Sequence, residues 1–150
     1  MRELLKNIAA LPDLEIGQTP DDFKCLAERT LEAKEKVIYY IGSVELLLEA
    51  YEQAYENNYY IPTRIERNIL VKMLAPDTPA MRAYRATDDA QIRQTRALPK
   101  DVVMDYAVMI HDDQVVFFAQ DPQLYALAIT SPSIAVTMKA MFNAIWTMAH

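Results

Sequence analysis

Few residues in this 150-residue chain are of a type that does covalent or metal chemistry: two histidines, one cysteine, and serines placed at turns. His111 stands beside Asp112 and Asp113, where His-Asp-Asp-Gln reads as a tight turn between two apolar runs. A metal would need the imidazole and carboxylates to converge, but adjacent turn residues point apart, so a solvated turn is expected and no metal site. Cys25 has no histidine near it in sequence, and an unperturbed thiol is a weak nucleophile, so it reads as a buried small hydrophobe. Ser43 follows Gly42 at the end of an apolar run, but a nucleophile elbow would need a second glycine where Glu45 stands. Helix capping is the better reading. Ser43 and Glu45 then mark a helix N-terminus at a strand end, a place where open α/β sheets take small anions and polyols. Ser131 offers the same arrangement before the last helix. Arg64, Arg93 and Arg96 are candidate partners for such an anion, since guanidinium groups grip carboxylate and phosphate. Arg93 and Arg96 share a face if their segment is helical.

The elements that must position these residues follow from periodicity. Leu4, Leu5, Ile8 and Leu11 fit a short helix over Arg2–Leu11, stopped by Pro12. A second helix opens with Thr19 as cap, Pro20 in its first turn and Asp21 and Asp22 at its positive end, and should run to about Lys36. Val37–Ile41 is a β-branched and aromatic run, hence a buried strand. A helix from Ser43 should place Leu46, Leu47, Ala50, Tyr51 and Ala54 inward and fade at Asn57–Asn58. Tyr51, Tyr55 and Tyr59 would then line one of its faces, a core edge or a self-association surface. Ile69–Leu74 is a strand, Asp77–Lys100 is polar, Met104–Ile110 and Val115–Ala119 make a hairpin, and Tyr125–Ile129 is a strand. Ser131 caps a last helix reaching about Met148, with Ile134, Met138, Met141, Phe142 and Ile145 inward and Trp146 in the core. The order α-α-β-α-β-(α)-β-β-β-α is an α/β chain with a mixed sheet flanked by helices.

Composition narrows the function. Only two glycines, Gly17 and Gly42, are present, so no Gly-rich phosphate loop can be written. A net charge of −6 disfavours nucleic-acid binding by the domain as a whole. One cysteine and no signal-peptide pattern suit a reducing, cytoplasmic setting, and no run of about 18 apolar residues suggests a membrane span.

Several local motifs, in order, resemble the C-terminal effector domain of TrmB-type transcriptional regulators, which has a phospholipase D-like fold. They are Glu28-Arg29-Thr30-Leu31 with Ala33-Lys34 before the Gly42-Ser43 turn; Arg64, Arg67, Asn68 and Ile69; Ile92 to Pro99; and Ile129 to Ala135 followed by Met141 to Trp146. The likeness covers roughly residues 14 to 149 and implies residues 1–12 as the remnant of a linker helix and 13–150 as one effector domain. The family's winged helix-turn-helix does not precede it in this chain, so DNA would be reached only through a module outside these residues. Phospholipase D enzymes carry an HxK on the hairpin before a Gly-Ser turn. Here those positions hold Asp105 and Ala107, or Tyr106 and Val108 one residue on. Phosphodiester chemistry by that route needs an imidazole nucleophile and a cation. The resemblance therefore implies a non-catalytic regulatory domain without a cofactor, acting as a homodimer and sensing a small effector such as a sugar, or a partner. The alternative is an interaction or structural module of the same fold without a ligand.

Overall fold

The structure, a computed structural model, describes residues 11–150. The expected helix over 2–11, and with it most of the linker remnant, lies outside them. Strand β1 (Asp13–Gly17) comes first, then helix α1 (Pro20–Thr30). α1 starts as its sequence dictates: Thr19 Oγ1 accepts from Asp22 N, and the Asp22 carboxylate accepts from Thr19 N. It stops six residues short of Lys36. The chain tightens into i→i−3 turns at Leu31, Glu32 and Ala33, and Lys36 takes a left-handed φ of 59° that aims it into β2 (Val37–Ile41).

Helix α2 (Val44–Ala50) ends earlier than its tyrosine spacing suggests. Tyr51 has extended backbone (φ −122°, ψ 138°) and buries its ring, and a new helical run then begins. That run is continuous: α3 (Gln53–Tyr55), a π-helical turn at Glu56–Tyr60, and α4 (Ile61–Glu66). Asn57 and Asn58 therefore lie inside helical structure rather than ending it, and Ala54 is exposed rather than inward. The chain continues through β3 (Leu70–Ala75), α5 (Pro79–Arg85), a 3₁₀ turn at Asp89–Gln91, β4 (Arg93–Ala97), β5 (Ala107–His111), β6 (Gln114–Ala119), β7 (Tyr125–Thr130) and α6 (Pro132–Met148).

These strands form one mixed sheet in the order β1-β7-β6-β5-β2-β3-β4, parallel only across β2, β3 and β4. The expected mixed sheet flanked by helices is present, with β1 and β4 as two further strands at its edges. Residues alternate between two cores. Ile38, Tyr40, Val71, Met73, Met109 and Phe118 meet α1, α2 and α5 on one face. Ile41, Leu74, Val108, Ile110 and Val115 meet Ala135 and Phe142 of α6 on the other. Met141 is 56% exposed, against the expectation that it packs inward, because it lies on the flank of α6 away from Ala135 and Phe142. No helix among the described residues is long and apolar enough to cross a membrane.

Candidate functional site

The three arginines expected to meet an anion have other work. Arg64, on α4, is buried and donates from Nη1 to Ile69 O (2.7 Å) and Ile92 O (3.0 Å), and from Nη2 to Gln91 O. It holds the starts of β3 and β4 together. Ile92 needs that grip, since a β-branched residue at φ 48° is strained. Arg93 donates from Nε to Asp88 Oδ1 (2.9 Å) and from Nη2 to Tyr84 O and Thr87 Oγ1, with its guanidinium 4.5 Å above the Tyr84 ring. Arg96 stacks 4.3 Å over Trp146 and donates to Trp146 O. Residues 93–97 are a strand, so Arg93 and Arg96 point to opposite faces rather than sharing a helical one. Arg64 and Arg93 do converge; Arg96 does not join them.

Ser43 and Ser131 are separated too. Three antiparallel steps lead from β2 to β7, so the two strands run oppositely and their C-terminal ends lie at opposite ends of the sheet. Each hydroxyl caps its helix, accepting from Leu46 N (3.1 Å) and Ile134 N (3.4 Å). Glu45 is exposed in the first turn of α2. Tyr51, Tyr55 and Tyr59 do not form a helical face: Tyr51 is buried, Tyr55 half-buried and Tyr59 exposed.

His111 is buried at the end of β5 rather than solvated, with Nδ1 unpartnered, and burial holds its pKa below the ordinary value. The turn after it is structural. Asp112 takes a left-handed φ of 46°, and its carboxylate accepts from Lys34 N (2.9 Å) and Glu35 N (3.0 Å). Partial burial pushes this carboxyl up, but those two amides outweigh it and keep it below the usual range. Cys25 is exposed, against the expectation of a buried hydrophobe. No group of three or more His, Cys, Asp or Glu able to hold a metal occurs among the described residues.

Where β5 starts and β6 ends, Asp105, Tyr106, Ala119, Gln120 and Asp121 line a surface depression. Gln120 donates to Glu49 beside it. The depression holds two carboxylates, and none of its lining residues is an imidazole or a cation. Ala107, the first residue of β5, packs closely against Gly42.

The arrangement best suited to hold a molecule lies on the face of the sheet covered by α1, α2 and α5, under the π-helical turn. A cavity of about 50 Å³ is walled by Ile38, Leu47, Val71 and Met73 and carries Tyr51, Glu56, Tyr84, Arg64 and Arg93. The Tyr51 hydroxyl is buried without a partner. Glu56 Oε2 accepts from Tyr84 OH (3.1 Å), and no donor among the described residues reaches its other oxygen. Tyr60, from the same turn, pairs with Thr30 Oγ1 (2.6 Å). A π turn rotates Glu56 and Tyr60 inward together, a distortion found often at functional sites. Glu56 gave no signal in sequence, where it sits in the polar run Glu56-Asn57-Asn58; Tyr51, expected inward, is buried, but its place in an apparent helical stripe gave no sign of the cavity.

Burial lifts the Glu56 carboxyl above its ordinary value, against the pull of the Tyr84 hydroxyl and of Arg93 and Arg64. The folded chain thus keeps a proton that the unfolded chain releases, and stability falls as pH rises through the folded value. Glu56→Gln cannot ionise. It should match the parent near pH 4 and melt a few degrees higher at pH 8, on the order of 1 kcal/mol. Melting curves between those limits with no pH-dependent gap would contradict this.

No protein-family model and no curated protein sequence matches the chain. Solved structures do. TrmBL2, an archaeal chromatin protein whose structure shows a novel mode of DNA binding, superposes with a TM-score of 0.61 at 18% identity, over 99% of this chain and 59% of that one. This chain spans about three fifths of that protein's length. Nuc from Salmonella typhimurium, a phospholipase D family member, superposes at 0.61 and 14% identity over 93% of this chain and 97% of its own. NucT from Helicobacter pylori superposes at 0.64 and 12% identity over 92% and 98%. This chain therefore has the phospholipase D-like fold.

Proposed function

We propose that this chain is a non-catalytic regulatory domain, of the kind found in TrmB-type regulators, that takes the polar end of a small effector into the cavity beneath the π-helical turn. It acts as a dimer on whatever module it is joined to, and DNA is reached only through such a module. The observation that carries the reading is that Tyr51, whose buried hydroxyl has no partner among the described residues, lines the same largely apolar cavity as Glu56. A buried hydroxyl without a partner costs about 1–3 kcal/mol, which a ligand able to hydrogen-bond it recovers. The absence of catalysis is supported by the HxK positions, which hold Asp105 and Ala107, or Tyr106 and Val108 one residue on, so neither the imidazole nor the cation that this route uses stands there.

The cavity constrains the effector. About 50 Å³ accepts a few waters or a hydroxyl-bearing fragment of a few heavy atoms. A whole sugar enters only as the π-helical turn and α5 move apart.

The test is thermal unfolding of the chain against sugars, nucleotides and organic acids. A ligand at 100 times its dissociation constant adds about 2.7 kcal/mol, a shift of several degrees. Tyr51→Phe should raise the unliganded melting temperature by a few degrees, because it removes the unpaired hydroxyl, and should abolish most of the ligand shift. A ligand whose shift survives in Tyr51→Phe binds elsewhere, and the cavity reading falls. A second reading, an interaction module without a ligand, draws on the apolar outer flank of α6, and silence across the library would favour it.

A further inference from the structure

α6 crosses the sheet on a diagonal and leaves one corner of its own face bare. It starts beside the end of β7 and packs on β6, β5 and β2. Its C-terminal end reaches β4, where Trp146 meets Arg96 and His150 N donates to Ala97 O. The bare corner is the face of β7 and β1. Leu14 pairs with Ile129 and Ile16 with Leu127, which places all four on the side of the sheet that α6 occupies. Leu14 is 66% and Ile16 69% exposed. Lys139 and Trp146 turn one flank of α6 toward Glu35 and the β3–β4 side. By the 100° advance per residue, Met138 and Met141 fall on the other flank, toward this corner. The result is an apolar ledge between α6 and the edge strand.

The ledge carries no charge. β7 has no ionisable side chain besides Tyr125, and the single charged residue of α6, Lys139, is paired with Glu35 on its far flank. The acidic residues of β1 alternate to the opposite face, where Glu15 accepts two hydrogen bonds from Arg29. A chain of net charge −6 repels a copy of itself over most of its surface, and the ledge presents no like charges to a second copy. Interfaces between identical subunits are the apolar, charge-depleted class, whereas a foreign partner is ordinarily selected by rim charges that the ledge does not offer.

We propose that a second copy of this chain docks on the ledge, about a two-fold axis that seats the α6 flank of each protomer against the β7–β1 face of the other. This rests on the reading of the domain as a dimer and replaces Tyr51, Tyr55 and Tyr59 as its contact surface.

Light scattering on the full chain reads it. The expected mass is twice 17.2 kDa, falling to one chain in Ile16→Lys and in Met141→Glu, with the dissociation constant raised on the order of 100-fold by an unpaired charge in an apolar contact. Val103→Lys, at an 83% exposed site off the ledge, should leave the dimer intact. All three sites are exposed in the single chain, so each variant should keep the parent's circular dichroism spectrum, and the two ledge variants should melt lower only by the stabilisation that dimer formation supplies. A monomeric parent, with the ledge covered by the chain's own residues 1–10 or bare, overturns the proposal, as does a dimer that both ledge variants leave unchanged. Ligand-induced stabilisation is read on the same samples. A dimer with no ligand shift sinks the sensing reading alone, and a monomer with a shift sinks the ledge alone.

Discussion

Arg64→Met is expected to lower unfolding stability by about 3–5 kcal/mol, the range for removing one partner from a buried charged network. The size follows from what the guanidinium holds. Its donors satisfy the carbonyls of Ile69, Gln91 and Ile92, all at the bases of two neighbouring parallel strands. Each orphaned carbonyl costs about 1–3 kcal/mol, partly offset because burial already opposes the charge on Arg64 and pulls its pKa down. Ile92 O would keep the bond from Val71 N (3.2 Å) and lose only its second donor, while β4, an edge strand, would fray first. Arg64→Lys should recover only a small part, since one ammonium cannot span three carbonyls from two segments. Urea unfolding of both variants decides it. A loss below about 1 kcal/mol for Met would show that the strand starts hold without the arginine.

Gly42→Ala should cost about 3 kcal/mol or more. Gly42 sits at φ 147°, outside the range L side chains normally take. A Cβ there would lie 2.6 Å from Ala107 Cβ and 2.7 Å from Ala107 Cα. Backbone cannot swing aside as a flexible side chain does, so β5 must shift away from β2. Gly42 N also donates to Leu74 O (2.9 Å), so a shift of Gly42 strains the end of β3 as well. Adding Ala107→Gly removes the Cβ contact but not the Cα one. The double variant should therefore recover roughly half of the loss, a coupling that a thermodynamic cycle measures. Equal stability of Gly42→Ala and the parent would rule out the close approach of the two strands.

What the sequence showed and hid divides along physical lines. Apolar strands of the sheet centre, Val37–Ile41 and Leu70–Ala75, announce themselves because both their faces are buried. The caps Thr19, Ser43 and Ser131 are local chemistry and needed no tertiary knowledge. β4 hid because its charges, Arg93 and Arg96, are three apart and mimic a helical face, while the groups that hold them, the Asp88 carboxylate and the Trp146 ring, are brought there by the fold. β1 hid because Asp13–Gly17 has meaning only beside β7. The cavity was illegible for a related reason. The tyrosine spacing assumes one unbroken helix, and the break at Tyr51 and the π turn at Glu56–Tyr60 change which residues face inward. The arginine motifs pointed to real and buried chemistry, but their ligands are carbonyls of this chain.

The position of β1 also governs the order in which the chain assembles. β5, β6 and β7 follow one another along the sequence, and a two-residue turn joins β5 to β6, so such pairings close in microseconds to tens of microseconds. Asp13 meets Thr130 only after nearly the whole chain has been looped between them, a closure whose entropy is lost before any contact repays it. Until β1 arrives, β7 presents a row of free amides and carbonyls along Tyr125–Thr130, an uncharged template for the wrong chain. Refolding yield should therefore fall as protein concentration rises, with the loss set by how long that last strand takes to return.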